Sequence, residues 1–267
     1  MAPPSHVGGA RGRGSVHRRI ADPRRSPTVG RMTAGRPTAS VYVDGFNLYR
    51  RALQGRQGVK WLDLHRLFSE LMPEHDVVRI HYCTALLRHG LTADVRAPVR
   101  QQVYLRALRT DPRISIHLGK FRNDRRDMPV HPQQVDLETR KFVTASVRKI
   151  EEKGSDVNLA SRMVAGALLG HADIQVAVTN DSDLVGPLRM LKEELGFATG
   201  IIFPMTRARS SKELVQTDPD FMTNVTEEAL RASQFPDTMR DANGVVRRPE
   251  KWSWKSEGPS SLGPSNR

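Results

Sequence analysis

The sequence contains the segment Val41-Tyr42-Val43-Asp44-Gly45-Phe46-Asn47, in which a short apolar run ends at an acidic residue. Residues 39–43 have the length and the β-branched content of a buried strand. A carboxylate that leaves a buried strand is costly unless it is paired or binds a metal ion. We therefore predict a first strand that places Asp44 at the end of a sheet, beside a ligand.

A second pair of acidic residues follows another apolar run. Residues 174–179 predict a strand, and Asp181 and Asp183 come directly after it. In an open α/β sheet, ligands bind at the carboxyl ends of the strands, so these two carboxylates are expected to meet Asp44 there. The alternative role for Asp181 and Asp183 is structural, as a loop and an N-cap for the helix predicted from residue 184.

Two further residues have both a functional and a structural interpretation. Asp156 opens a helix predicted over residues 156–169, where an acidic residue commonly stabilises the helix N-terminus. On the residues alone, that structural role is the more common one. Asn47 lies three residues after Asp44. Its amide either faces the same site, to hold a water, metal or phosphate, or caps a helix that begins near residue 48.

The rest of the chain alternates strands and helices. Further strands are predicted at residues 77–85, 114–118 and 199–203, and helices at 62–71, 94–108, 184–195 and 225–232, the second broken early by Pro98. Such alternation favours a parallel sheet flanked by helices. Residues 119–150 interrupt it and are interpreted as a β-hairpin, with a long strand over 141–150. Its basic residues are Lys120, Arg122, Arg125, Arg126, Lys141, Arg148 and Lys149.

The composition indicates the class of protein. Of 267 residues, 38% are hydrophobic, no apolar run is long enough to span a membrane, and the arginine-rich N-terminus lacks the apolar stretch of a secretory signal. Cys83 is the one cysteine and is predicted to be a buried, inert thiol, as suits a cytoplasmic protein. The net charge of +13 favours polyanionic partners, although eight arginines fall within residues 1–38 and leave the rest mildly basic.

Three segments differ in character. Residues 1–38 are rich in Gly, Pro, Ser and Arg and are predicted to be a disordered basic tail, which either binds RNA nonspecifically or has no function. They are alternatively an upstream extension of the reading frame, because Met32 precedes the first strand by a suitable distance. Residues 39–215 are predicted to form the folded domain, and residues 216–267 a C-terminal extension that is partly disordered.

The acidic residues predict the chemistry. Clustered carboxylates repel one another and raise each other's pKa values, and a hard cation removes the repulsion. An all-oxygen set of ligands suits Mg²⁺ or Mn²⁺, and such an ion activates water and neutralises the charge that develops on a phosphate. Phosphodiester cleavage is therefore the natural chemistry. The sequence has no GxGxxG, GxxxxGK[ST], GxSxG or HExxH motif, and Phe46 stands where an aspartyl phosphatase needs a second Asp.

Three separate motifs occur in a characteristic order. They are Val43-Asp44-Gly45-Phe46-Asn47, then Glu151-Glu152-Lys153-Gly154-Ser155-Asp156-Val157-Asn158-Leu159-Ala160, then Thr179-Asn180-Asp181-Ser182-Asp183-Leu184. Together they resemble the signature segments of the NYN domain, the bacterial LabA-like branch of the PIN-like nuclease superfamily. The resemblance covers roughly residues 39–215, and residues 230–238 are similar to a C-terminal extension found in this branch.

The resemblance implies a PIN-like, three-layer α/β/α sandwich with a central, mainly parallel sheet, and Mg²⁺- or Mn²⁺-dependent cleavage of RNA. It implies that the metal and catalytic residues are Asp44, Asp156, Asp181 and Asp183, with Asn47 as their polar companion. Asn180 and Leu184 occupy positions where other PIN-like branches often have Gly and Phe. Contacts to the substrate are predicted for Asn47, Lys153, Arg148, Asn180 and Ser182, although an isolated Lys or Arg is more often merely solvated.

The leading hypothesis is a metal-dependent ribonuclease whose basic hairpin guides the RNA backbone. The alternative from another class is a noncatalytic RNA- or protein-binding regulatory module that retains the metal site. A third, weaker hypothesis is a phosphodiesterase directed at DNA or at nucleotides. No membrane partner and no small-molecule cofactor are expected, and a homodimer is compatible with the sequence.

Overall fold

A central seven-stranded sheet organises the protein. The computed structural model describes residues 35–205 and 207–253, and its main sheet has the strand order β4-β3-β2-β1-β5-β6-β7. All neighbours run parallel except β3 and β4, which are antiparallel. The strands are β1 Thr38–Asp44, β2 Asp76–Ala85, β3 Ile114–Pro129, β4 Thr144–Lys153, β5 Ile174–Val178, β6 Ala198–Phe203 and β7 Phe221–Asn224, with a separate hairpin of β8 Thr238–Asp241 and β9 Gly244–Arg247.

Seven α-helices occur in the described part of the chain. They are α1 Gly45–Leu48, α2 Leu64–Leu71, α3 Ala97–Leu108, α4 Ser155–Leu168, α5 Val185–Arg189, α6 Lys212–Val215 and α7 Glu227–Ala232. Two are extended by a π-helical turn, Tyr49–Leu53 after α1 and Met190–Glu194 after α5. None of the described helices is long and apolar enough to cross a membrane.

The two faces of the sheet carry two separate apolar cores. Successive residues of a strand point to opposite faces, so Val41 and Val43 pack in a core with α2, α3 and α7, while Tyr42 packs in a second core with α4 and α5. All three of these side chains are fully buried, as expected for a central parallel strand covered on both faces. The predicted three-layer α/β/α sandwich is therefore confirmed.

The five strands predicted for the parallel part of the sheet are present, and so is the β-hairpin excursion. The third strand does not stop near residue 118 as predicted but continues as β3 to Pro129. Its second half pairs with β4 beyond the part of the sheet that the helices cover. We call these paired extensions, residues 120–153, the basic arm. Strand β7 and the hairpin β8–β9 were not predicted from the sequence.

Helix boundaries differ from prediction in three places. Asp63 caps α2, so this helix begins at Leu64. Pro98 does not break α3, because it lies in the first turn, where its missing N–H has no helical partner to lose. The helix predicted over residues 184–195 is divided into a 3₁₀ turn, α5 and a π-helical turn.

The predicted disordered N-terminal tail falls mostly outside the described residues, whereas most of the predicted C-terminal extension is described and contains β7, α7, β8 and β9. Residues 1–34 and 254–267 are not described, whereas Arg36 pairs with Asp76 at 2.7 Å and Thr38 already belongs to β1. Cys83 is fully buried as predicted, and burial raises the pKa of its thiol to about 12, which leaves it protonated and unreactive.

Candidate functional site

Asp44 is the last residue of β1, the central strand of the parallel sheet, and only 6% of it is exposed. Its Oδ1 accepts the backbone N–H of Asn47 at 2.9 Å, so it caps the short helix α1. Its Oδ2 accepts a hydrogen bond from the Thr179 hydroxyl at 3.3 Å. These two bonds fix the carboxylate at the carboxyl end of the sheet, as predicted.

The environment of Asp44 resists its negative charge. The pKa of Asp44 is raised to about 6, chiefly by burial and further by the charges of Asp156 and Asp181, although the hydrogen bonds from Asn47 and Thr179 act in the opposite direction. A carboxylate responds in this way to acidic groups only when they lie close to it. The fold therefore brings acidic residues from three distant parts of the chain to one place.

Asp181 and Asp183 lie just beyond the end of β5. The parallel pairing of Val43 with Val178 places this end beside Asp44. Asp181 donates its N–H to the Thr179 hydroxyl oxygen at 3.0 Å, and its Oδ1 accepts the N–H of Asp183 at 3.1 Å. Asp181 thus caps a 3₁₀ turn and also lies near Asp44, so its structural and functional interpretations are compatible.

Asp156 does not act as the cap of α4. Gly154 occupies the cap position with φ 98° and no side-chain bond, and Glu152 supplies the capping oxygens, accepting the N–H of Ser155 at 3.1 Å and its hydroxyl at 2.6 Å. The carboxylate of Asp156 is left to face the other acids. The pKa of Asp156 is raised, mainly by burial and to a smaller extent by the charges of Asp181, Glu152 and Asp183.

No Lys, Arg or His in the described part of the chain pairs with the acidic cluster. Among residues 35–205 and 207–253, none of Asp44, Asp156, Asp181 and Asp183 forms an ion pair with Lys, Arg or His. Over the same ranges, no three His, Cys, Asp or Glu side chains are arranged to hold one metal ion between them. Mg²⁺ commonly takes one or two carboxylates and completes its shell with water and phosphate oxygens. The oxygen donors around Asp44 fit that kind of ion rather than a cage of several carboxylates.

Two asparagines hold the loops of the site together. The side-chain Oδ1 of Asn47 accepts the N–H of Asn180 at 3.1 Å and so joins helix α1 to the loop after β5. The side chain of Asn180 accepts the N–H of Ser211 at 2.7 Å and donates to the carbonyl of Arg209 at 3.4 Å. Both amides are thus engaged in positioning, whatever contact they make with a substrate.

Replacing Asn47 by Ala is expected to lower the stability of the protein by about 1–2 kcal/mol, because the half-buried N–H of Asn180 loses its acceptor. The loop that carries Asp181 would then be less well positioned. The cleavage rate should therefore fall by more than the loss of folded protein explains. Urea unfolding and single-turnover cleavage measure the two effects. Asn47→Asp keeps an acceptor at the same place but adds a carboxylate beside Asp44, so the two variants are compared in Mn²⁺, which offsets that charge. Under this condition Asn47→Asp should lose less stability than Asn47→Ala, and equal loss in both variants would contradict this role.

The other predicted substrate contacts lie at or beyond the edge of the acidic cluster. Lys153 is half exposed at the end of β4, with its Nζ 3.5 Å from Glu151. Arg148 is exposed on the basic arm and donates to Asn123 at 2.8 Å. Ser182 is exposed on the 3₁₀ turn next to Asp181. These residues remain predictions as substrate contacts.

Sequence reasoning missed two residues that shape the site. Thr179 bonds both Asp44 and the N–H of Asp181, and the only signal in the sequence is a hydroxyl residue at the end of an apolar strand. Glu152 caps α4 from three residues before Ser155, which is the reverse of the usual order and has no clear sequence signal. Thr179 thus positions Asp44 and Asp181, and Glu152 positions the first turn of α4, which carries Asp156.

The chain is similar to known proteins in both sequence and fold. The chain is 28% identical, over 238 residues, to the 6-hydroxy-3-succinoylpyridine 3-monooxygenase HspA of Pseudomonas putida, a match that covers 81% of this chain and 76% of that protein. A crystal structure of a protein of unknown function from Vibrio parahaemolyticus is similar with a TM-score of 0.47 and 14% identity, covering 73% of this chain and 97% of that one. The family model of the NYN domain matches residues 38–226, which include every residue of the acidic cluster, and the chain therefore belongs to the NYN domain family.

Proposed function

We propose that the protein is a divalent-metal-dependent ribonuclease. The observation that carries this proposal is Asp44, a buried carboxylate at the end of the central strand whose pKa is raised to about 6 with no cation beside it in the described residues. A bound Mg²⁺ or Mn²⁺ would make this arrangement favourable. The NYN domain has a nuclease-like fold of the PIN superfamily, which supports phosphodiester cleavage as the reaction.

The residues of the cluster take different parts in this proposal. Asp44 and Asp181 would hold the metal ion, which when bound activates water and neutralises the charge that develops on the phosphate. Asp156 and Asp183 would accept hydrogen bonds from the attacking water and orient it towards phosphorus. Thr179 and Asn47 would hold the end of β1, which carries Asp44, beside the loop that carries Asp181 through their hydrogen bonds.

The basic arm is the proposed guide for the RNA backbone. Some of its cations are already neutralised, since Arg122 contacts Asp124 at 2.5 Å and Lys149 contacts Glu151 at 2.6 Å. Lys120, Arg125 and Lys141 form no ion pair with an acid in the part of the chain that the structure describes. Those three are available for phosphates, so binding of RNA should weaken steeply as salt is raised.

Cleavage assays with purified full-length protein test the proposal. Single-stranded and structured RNA, DNA and small nucleotides are compared under Mn²⁺, Mg²⁺ and EDTA. The proposal expects RNA cleavage that requires metal and is lost in Asp44→Asn. Cleavage that survives both EDTA and this substitution contradicts it. Binding of RNA without turnover, together with thermal stability that rises with Mg²⁺, would instead support the noncatalytic binding module.

The oxygenation named for the Pseudomonas relative is an activity of that protein, and it defines a further control. The same preparation is given 6-hydroxy-3-succinoylpyridine, oxygen and a reduced nicotinamide, and the hydroxylated product is sought. The proposal expects no product. Turnover of this compound without RNA cleavage would overturn the proposal in favour of an oxygenase.

Metal binding should depend on pH through Asp44. Protons compete with the ion for this carboxylate below its pKa of about 6, so the apparent affinity for Mn²⁺ should fall about tenfold for each pH unit below that value and be nearly constant above it. Mn²⁺ titrations followed by electron paramagnetic resonance between pH 5 and pH 8 measure this. An affinity that does not change between pH 5 and pH 7 would exclude Asp44 as a ligand.

A further inference from the structure

A cavity of about 680 Å³ opens directly beside the acidic cluster. Gly45 and Phe46, which follow Asp44 in the chain, form part of its wall, and so does Glu152, which lies next to Asp156. None of the four acids lines the cavity itself, but these neighbours place its wall next to the acidic cluster.

The wall of the cavity is rich in aromatic rings. Phe46 and Phe121 pack edge to face, with their centroids 5.6 Å apart, and Tyr104 packs in the same manner against Trp252 at 6.1 Å. Tyr49 also lines the cavity and is 39% exposed. Three of these side chains, Phe46, Phe121 and Trp252, are only half-buried. Part of their ring surface therefore remains open to a planar ligand.

Positive charge on the wall exceeds what its acids neutralise. Asp94 is shared between Arg100 and Lys251, with Lys251 Nζ at 2.6 Å. Lys60 forms no ion pair within the described ranges. Its Nζ lies over the Tyr49 ring, 5.8 Å from the ring centroid. Arg50 lines the same wall and has no acidic partner there either. A ligand of this cavity should therefore combine an aromatic ring with an anionic group.

We propose that this cavity is a subsite for the nucleotide that adjoins the scissile phosphate, with the base stacked on Tyr49 and the neighbouring phosphate held by Lys60 and Arg50. The inference rests on the proposed function. A nucleic acid strand offers the aromatic ring and the anionic group next to each other, because each base is followed along the strand by a phosphate. Stacking on aromatic side chains accepts any base, so the subsite should give affinity with little sequence preference.

Binding of mononucleotides without metal tests the subsite apart from catalysis. Adenosine 5′-monophosphate, uridine 5′-monophosphate and ribose 5-phosphate are titrated in EDTA by calorimetry. The sugar phosphate has the same anionic group but no base. Both nucleotides should bind at least about tenfold more tightly than ribose 5-phosphate. Equal binding of all three would overturn the proposal.

Matched variants identify the contacts. Tyr49→Leu should weaken nucleotide binding about tenfold and leave ribose 5-phosphate unaffected, whereas Tyr49→Phe keeps the ring and should bind within about twofold of the wild type. Lys60→Gln should weaken all three ligands. Arg66→Gln removes one positive charge from α2, away from the cavity, and should weaken none. A loss of nucleotide binding as large in Arg66→Gln as in Lys60→Gln would overturn the assignment of the phosphate contact.

The outcomes separate the subsite from the ribonuclease. Nucleotide binding that depends on Tyr49, in a protein that cleaves no RNA, supports the subsite and removes the proposed reaction. Metal-dependent RNA cleavage with no effect of Tyr49→Leu on nucleotide binding or on the KM for RNA keeps the reaction and overturns the subsite. The same titration is made with 6-hydroxy-3-succinoylpyridine, and tight binding of this compound in place of the nucleotides would assign the cavity to small molecules and also overturn the subsite.

Discussion

Replacing Asp44 by Asn is expected to lower RNA cleavage by about 10³-fold or more, because the proposed site loses a metal ligand that lies where charge develops. The same substitution should stabilise the metal-free protein by about 1–3 kcal/mol. Ionised Asp44 is buried among other acids, whereas Asn keeps the acceptor for the Asn47 N–H and carries no charge. Loss of function with a gain in stability is the signature of a carboxylate retained for its chemistry.

The gain in stability should depend on pH in a defined direction. The pKa of Asp44 in the folded protein, about 6, is above its ordinary value of 3.8, so the folded state binds the proton more tightly than the unfolded state. The stabilisation from the protonated carboxyl is complete below about pH 4 and is lost as the pH rises through about 6. The difference between Asp44→Asn and the wild type should therefore be small near pH 4 and largest above pH 6.

Urea unfolding in EDTA and in Mn²⁺ measures these effects. Mn²⁺ should raise the stability of the wild type and leave that of Asp44→Asn unchanged. Asp63→Asn is the matched control, because Asp63 also caps a helix after an extended segment, accepting the Arg66 N–H at 3.1 Å, but its charge acts on His65 and Arg113 and not on Asp44. This control should keep full activity and gain no stability. A similar gain in stability in both variants would contradict the account of Asp44.

Replacing Gly45 by Ala is expected to reduce activity by about 100-fold and stability by about 1–3 kcal/mol. A Cβ at this position would lie 2.7 Å from the Tyr82 ring and 2.9 Å from the carbonyl oxygen of Cys83. The Tyr82 ring is buried and the carbonyl belongs to β2, so neither can move away easily. The turn that follows Asp44 must shift instead, and it would take the carboxylate out of place.

Gly186→Ala is the control for this prediction. Gly186 lies in α5, where a Cβ would meet no atom within 4 Å, so the substitution should be neutral or slightly stabilising. Thermal unfolding and single-turnover cleavage compare the two variants. Wild-type activity in Gly45→Ala would show that the position of Asp44 tolerates movement, which the proposed mechanism does not allow.

The acids at the strand ends were predictable because two simple regularities agree. Apolar runs of strand length precede Asp44 and Asp181, and the carboxyl ends of parallel strands meet at one edge of a sheet. Asp156 was different, since its sequence context fits a helix cap as well as a site. In the structure it is Glu152 that caps the helix. Its side chain does so from two residues before the cap position, which Gly154 occupies. Only the resemblance to a family brought Asp156 into the predicted site.

The C-terminal strands could not be predicted from the sequence, and the reasons are physical. Strands β7, β8 and β9 have four residues each, which is too short for a period to stand out, and only β8 alternates between exposed and half-buried positions. They are held by contacts with distant residues, as where Val246 joins the core that contains Trp61. Such tertiary packing overrides local pattern, and no window of the sequence contains it.

The central claim is that Asp44 and Asp181 hold a divalent metal ion. A crystal of the full-length protein soaked in Mn²⁺ tests this most directly, since the anomalous scattering of manganese identifies the ion without reference to activity. The account predicts an anomalous peak between the carboxylates of Asp44 and Asp181 in the wild type and its loss in Asp44→Asn. A manganese ion bound elsewhere, with none in contact with Asp44 at pH 7 or above, would contradict it.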